Sequence, residues 1–183
     1  MLILISIATV AGATTYTFQP QPRKDMLDLP HSAYFTWGID WTLPSTEFIT
    51  GATFSFDNIR NGDDDPNQLY IHLLPYAPFG TTKYWDGEKG GDNFDGQGIE
   101  LFTLIDLPSS PAQDIIYFFT DEQLAVLTGY VADGNFGFGL DPDCEFFNDG
   151  ITVTINTVPE PGTLILLGAG MVGAAFYSRR RKN

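Results

Sequence analysis

The chain ends in 16 uncharged residues, Gly162 to Tyr177, followed by Ser178 and then Arg179, Arg180, Arg181 and Lys182. A core helix of a soluble domain has no use for four consecutive cations at its exit, so the stretch reads as a single transmembrane helix with a basic stop at 178–183. As an α-helix it would span about 24 Å, against about 30 Å of hydrocarbon. The shortfall is small: Tyr177 can sit at headgroup level and the arginine stems can reach upward. The cations stay cytoplasmic by the positive-inside rule, which leaves the bulk of the chain across the membrane. Val158, Pro159, Glu160 and Pro161 directly precede the run. Prolines cannot carry a helix further inward, so this tetrad is expected to be extended, unpaired and exposed. Ala169 with Gly173 and Gly170 with Ala174 give small residues four apart. These allow close helix contact, or simply reflect a glycine-rich segment.

A proline-flanked acidic tetrad, one apolar segment and a basic stop, in that order at the terminus, resemble the PEP-CTERM sorting signal of bacterial exosortase substrates. The resemblance covers residues 158–183. It implies that Val158, Pro159, Glu160 and Pro161 are the recognition motif and that an exosortase cleaves near it. It further implies an inner-membrane-held precursor, then delivery to the cell surface or an extracellular polysaccharide matrix. The chain would be the substrate of that enzyme rather than an enzyme itself.

The other terminus agrees. Met1 to Val10 is apolar apart from Ser6 and Thr9, and Ala11-Gly12-Ala13 is a small-x-small site, so residues 1–13 read as a signal peptide cut after Ala13. No Lys or Arg precedes the apolar core, as expected if translation begins upstream of Met1. The mature ectodomain is then 14–157. It holds 22 acidic and 5 basic residues, a net of −17. Such a surface repels nucleic acid and anionic headgroups and suits hard cations; solubility alone would also account for it. Cys144 is the one cysteine, so no internal disulfide forms. It either pairs between chains or packs as a small hydrophobe.

Within 14–157, short β-prone runs alternate with Gly, Pro, Asn and Asp turns. Phe35, Trp37, Ile39 and Trp41 fall at period two, and Phe54 and Phe56 alternate with Thr53, Ser55 and Asp57. Leu69–Leu74, Ile99–Ile105, Ile115–Phe119, Phe136–Leu140 and Ile151–Ile155 complete seven strands. The expected fold is all-β, a β-sandwich of jelly-roll type whose core is filled by aromatics. One short helix interrupts it. Thr120-Asp121-Glu122-Gln123 fits a capping box, and Leu124, Leu127 and Val131 follow at helical spacing, with an end by Gly134.

Three acidic clusters are candidate sites: Asp57-Asn58 with Asp63–Asp65; Asp86, Glu88, Asp92 and Asp95; and Asp141, Asp143, Glu145, Asn148 and Asp149. The third has carboxylates at alternate positions but no EF-hand pattern, since Thr152 occupies the twelfth position from Asp141. A structural Ca²⁺ between early and late strands would draw on Asp40 or Asp57 with Asp141, Asp143 or Asp149. The segment 132–150 also resembles a stretch found in ectodomains of sorting-tail proteins, which implies no activity. Tyr84, Trp85 and Asp86 pair aromatic faces with a carboxylate, a carbohydrate-binding signature suited to an exopolysaccharide. The plain alternative for all three clusters is solvated turns. No nucleophile elbow, His-rich metal site or phosphate-binding loop occurs, so the expected role is structural or adhesive rather than enzymatic, with a carbohydrate-binding module as the alternative.

Overall fold

A computed structural model of the chain describes residues 12–62, 67–87 and 90–180, and only the backbone at 161–167, 176 and 180. The signal-peptide reading therefore lies almost wholly outside the described residues, as do Asp63–Asp65, Glu88, Arg181, Lys182 and the Arg180 side chain.

The described strands are β1 (Thr14–Phe18), β2 (Asp28–Leu29), β3 (Ala33–Asp40), β4 (Glu47–Asn61), β5 (Gln68–Leu74), β6 (Gly80–Trp85), β7 (Ile99–Ile105), β8 (Gln113–Phe118), β9 (Asn135–Pro142), β10 (Phe146–Phe147) and β11 (Gly150–Pro159). The helices are α1 (Asp121–Tyr130) and α2 (Pro161–Arg180). In one antiparallel sheet β1, β11 and β4 are neighbours; β8 and the short β10–β2 pair then flank different stretches of β4. The other sheet runs β6-β3-β9-β5-β7. The order β1-β11-β4-β8 in one sheet against β3-β9-β5-β7 in the other follows from a chain that repeatedly crosses between layers, which is jelly-roll winding.

The period-two reading explains the packing. Phe35, Trp37 and Ile39 on β3 and Phe136, Phe138 and Leu140 on β9 all face inward and are buried. Phe54 and Phe56 on β4 meet them from the opposite sheet. Phe54 is fully buried, with ring centroids 5.2 Å from Phe138, 5.3 Å from Phe56 and 6.5 Å from Trp37. Trp41 lies just past the end of β3 and closes the core edge against Tyr16 and Phe18 of β1. Cys144 is 6% exposed within this core, the setting of a small packed hydrophobe.

The capping box forms as expected. The Gln123 amide donates to Thr120 Oγ1 at 3.3 Å, and the Thr120 amide donates to Gln123 Oε1 at 2.9 Å. Leu127 and Val131 are buried, and a short 3₁₀ turn over Val131–Asp133 ends at left-handed Gly134. At the C-terminus α2 starts at Pro161, where a missing N–H is harmless, and runs to Arg180. Among the described residues no helix is long and apolar enough to cross a membrane. The apolar turn 164–167 lies outside the described side chains.

Candidate functional site

The outer face of the β6-β3-β9-β5-β7 sheet carries the chemistry. Along β9 the inward residues are large, while the outward ones are Gly137, Gly139 and Asp141. Two glycines in that phase leave a flat strip. The loop between β6 and β7 folds back over Gly139, with Phe94 as the anchor at 2% exposure, while Ala77 from the β5–β6 turn covers Gly137. A Cβ on Gly139 would stand 2.7 Å from the Phe94 ring. Phe94 also meets Tyr34 edge-on at 5.5 Å, and its ring centroid is 5.8 Å from that of His72.

This placement brings the second acidic cluster onto the third. The Asn93 amide and Nδ2 both donate to Asp141 Oδ2, at 2.6 and 3.1 Å. The Gly91 amide donates to Asp143 Oδ2 at 3.2 Å. Asp92 Oδ1 accepts from the Phe94 amide at 2.8 Å, and its Oδ2 lies 2.8 Å from His72 Nε2. Asp141 is 0% exposed and Asp86 3%. Asp141 Oδ1 and Asp143 Oδ1 are buried without a hydrogen-bond partner.

The electrostatics follow from that crowding. Burial is the main cause that lifts the Asp141 carboxyl to about 6; the Asn93 donors pull it down, while the charges of Asp86 and Asp143 push it up. Asp143 is raised first by burial. The Gly91 amide and His31 oppose that shift, and the charges of Asp86 and Asp92 add to it. Burial and then the charges of Asp143, Asp92, Asp141 and Glu100 also raise the Tyr70 hydroxyl. One further set, His72, Asp92 and Glu100, has potential ligand atoms all within 4.8 Å. Its members are hydrogen-bonded, His72 to Asp92 and Gln97 and Glu100 to Thr103, so it reads as a polar brace for the loop.

The five carboxylates that are alternatives for one Ca²⁺ site fall in three places. Asp40 accepts from Asn135 Nδ2 at 2.9 Å at the start of β9, roughly 20 Å along the strand from Asp141. Asp57 and Asp149 are exposed on the other sheet, bridged by Asn58 Nδ2 at 3.3 and 3.0 Å. Only Asp141 and Asp143 stay together, and their new neighbours are Asp86 and Asp92. Tyr84, Trp85 and Asp86 also separate. Trp85 is 78% exposed, Tyr84 stacks on Tyr34 at 5.0 Å, and Asp86 is buried. Asp86 is thereby withheld from any ligand that stacks on Trp85.

The tail motif is extended, but it is not unpaired. Val158 and Pro159 are the last residues of β11, in register with Phe48 and Glu47 of β4, and the Glu160 amide donates to the Thr46 carbonyl at 2.8 Å. Glu47 accepts hydrogen bonds from Thr157 Oγ1 and the Tyr16 hydroxyl, tying the strand end to β1. The missing proline N–H costs little at the last position of a strand.

Residues 157–182 match the model of the PEP-CTERM protein-sorting motif. The chain thus carries a PEP-CTERM protein-sorting motif, which marks it for an exosortase and for sorting to the cell surface. No curated protein matches the chain.

Proposed function

We propose that the β-sandwich is the exported cargo of this signal and serves as a non-catalytic structural or adhesive protein of the cell surface or extracellular matrix. The sorting motif at 157–182 carries the reading. The fold supports it, because Thr14 pairs with Thr157, so the chain enters and leaves the sandwich on neighbouring strands at one end. The membrane-held precursor rests on the uncharged sequence of 162–177. In cells lacking the exosortase, the chain should stay full-length in the membrane fraction and disappear from the surface. Full-length chain on the surface of such cells would overturn the proposal.

A second reading is a carbohydrate-binding module for exopolysaccharide. What favours it is the group of exposed aromatics about edge strand β6: Phe79 just before it, Trp85 at its end and Tyr76 in the preceding turn, at 67%, 78% and 67% exposure. Sugar faces stack on such rings. Trp85→Ala should abolish pull-down by the matrix polysaccharide while the melting temperature holds. Undiminished pull-down by that variant would exclude Trp85 as the platform.

A further inference from the structure

Asp141 is a buried carboxylate with one oxygen satisfied and one not. Its Oδ2 takes both donors of Asn93, whereas Oδ1 is buried without a hydrogen-bond partner on a side chain that is 0% exposed. Asp143 repeats the pattern: Gly91 donates to Oδ2, and Oδ1 is buried and unpartnered. An ionised carboxylate oxygen in that position costs several kcal/mol unless a hydrogen bond or a cation meets it. Asp86 increases the conflict, because its charge bears on both groups. The loop donors that hold Oδ2 in each case leave Oδ1 to face another partner. Asp143 also lines a surface cleft with His31, Gln68, Gly90 and Asp106, which gives solvent ions a way in.

We propose that Asp141 and Asp143, with Asp86, bind one Ca²⁺ ion between the end of β9 and the β6–β7 loop. The donors are all carboxylate oxygens, which suit a hard cation. Zinc favours sites with nitrogen or sulfur ligands; Cys144 packs in the core, and His72 Nε2 is engaged by Asp92. Magnesium retains several waters and uses one or two carboxylates, a poor match to three partly or wholly buried ones. The oxygens of Asp86, Asp141 and Asp143 do not all lie within 4.8 Å of one another, so an ion would draw them in. The ion would bolt the loop to the sheet and cancel most of the buried negative charge.

The test is calorimetric melting of the full-length chain in detergent micelles, with CaCl₂ or MgCl₂ added after EDTA treatment. Ca²⁺ should raise the melting temperature by about 5–10 °C at a hundredfold excess over a dissociation constant of about 10⁻⁴–10⁻³ M. Mg²⁺ at equal concentration should give less than half that rise. Asp141→Asn should melt above wild type in EDTA, because it removes a buried repelling charge, and should show no Ca²⁺ rise. That pairing separates a ligand from a merely structural residue. Asp149→Asn, on the other sheet, should keep the full response. If Asp141→Asn does not fold, Asp143→Asn is read the same way. A wild-type melt indifferent to Ca²⁺, or a full Ca²⁺ rise in the readable variant, would overturn the site. An equal rise with Mg²⁺ would overturn its assignment to Ca²⁺.

Discussion

Phe54→Ala should destabilise the sandwich by about 3–5 kcal/mol, the cost of emptying a fully buried aromatic site. Phe54 is the ring that joins the two sheets, touching Trp37, Phe138 and Phe102 across the core and Phe56 beside it. None of these neighbours can fill the void without leaving its own contacts. For a chain of this length the melting temperature should fall by roughly 10 °C or more. Phe118→Ala is the control. That ring is 70% exposed on β8, and its loss should change stability by no more than about 0.5 kcal/mol. Equal effects of the two substitutions in a thermal or urea melt would contradict the placement of the core.

Gly139→Val should detach the β6–β7 loop from the sheet. The new Cβ falls 2.7–2.8 Å from three atoms of the Phe94 ring, and the branched methyls leave the ring no room to shift. Overpacking of this kind costs about 1–3 kcal/mol. The loss is local, since Gly139 faces outward and the strand ladder survives. Once Phe94 leaves, the Asn93 amide loses Asp141 and Asp92 loses its position beside His72. Hydrogen exchange is the direct measurement. The Asn93 amide should become fast-exchanging while amides of β4 and β9 stay protected. Unchanged protection at Asn93 would mean that Phe94 does not hold the loop.

The strands legible in the sequence were those with large apolar residues at alternate positions or in a short continuous run. Phe35, Trp37 and Ile39, or Phe54 and Phe56, announce themselves by alternation, and all of them are buried. β2 and β10 are two residues each, too short to show a period. β6 is absent from the runs read as strands, although Tyr84 stacks on Tyr34 from a regular strand. The Thr120 cap was legible because all its parts lie within four residues. The acidic site was not, because its hydrogen bonds join residues 48 and 52 positions apart. Spacing along the chain grouped Asp141 with Asp149 and Asp86 with Trp85, whereas folding pairs Asp141 with Asn93 and sends Asp149 to Asn58. A usable signal did exist. Outward glycines at 137 and 139 on a strand with large inward residues mark a face onto which another segment packs. The tail was legible because its order of features is local, but the pairing of Val158 and Pro159 with β4 depends on a strand more than a hundred positions earlier.

That pairing sharpens what the exosortase must do. The motif leaves the sandwich at Pro159, with Glu160 still bonded to Thr46, so cleavage near it acts on the last rung of a folded domain. The most direct test is the intact mass of the protein recovered from the cell surface, together with sequencing of its C-terminal peptide. The account predicts a chain that ends near 158–161 and lacks the segment up to Asn183. Surface protein that still carries Gly162 to Asn183 would contradict it.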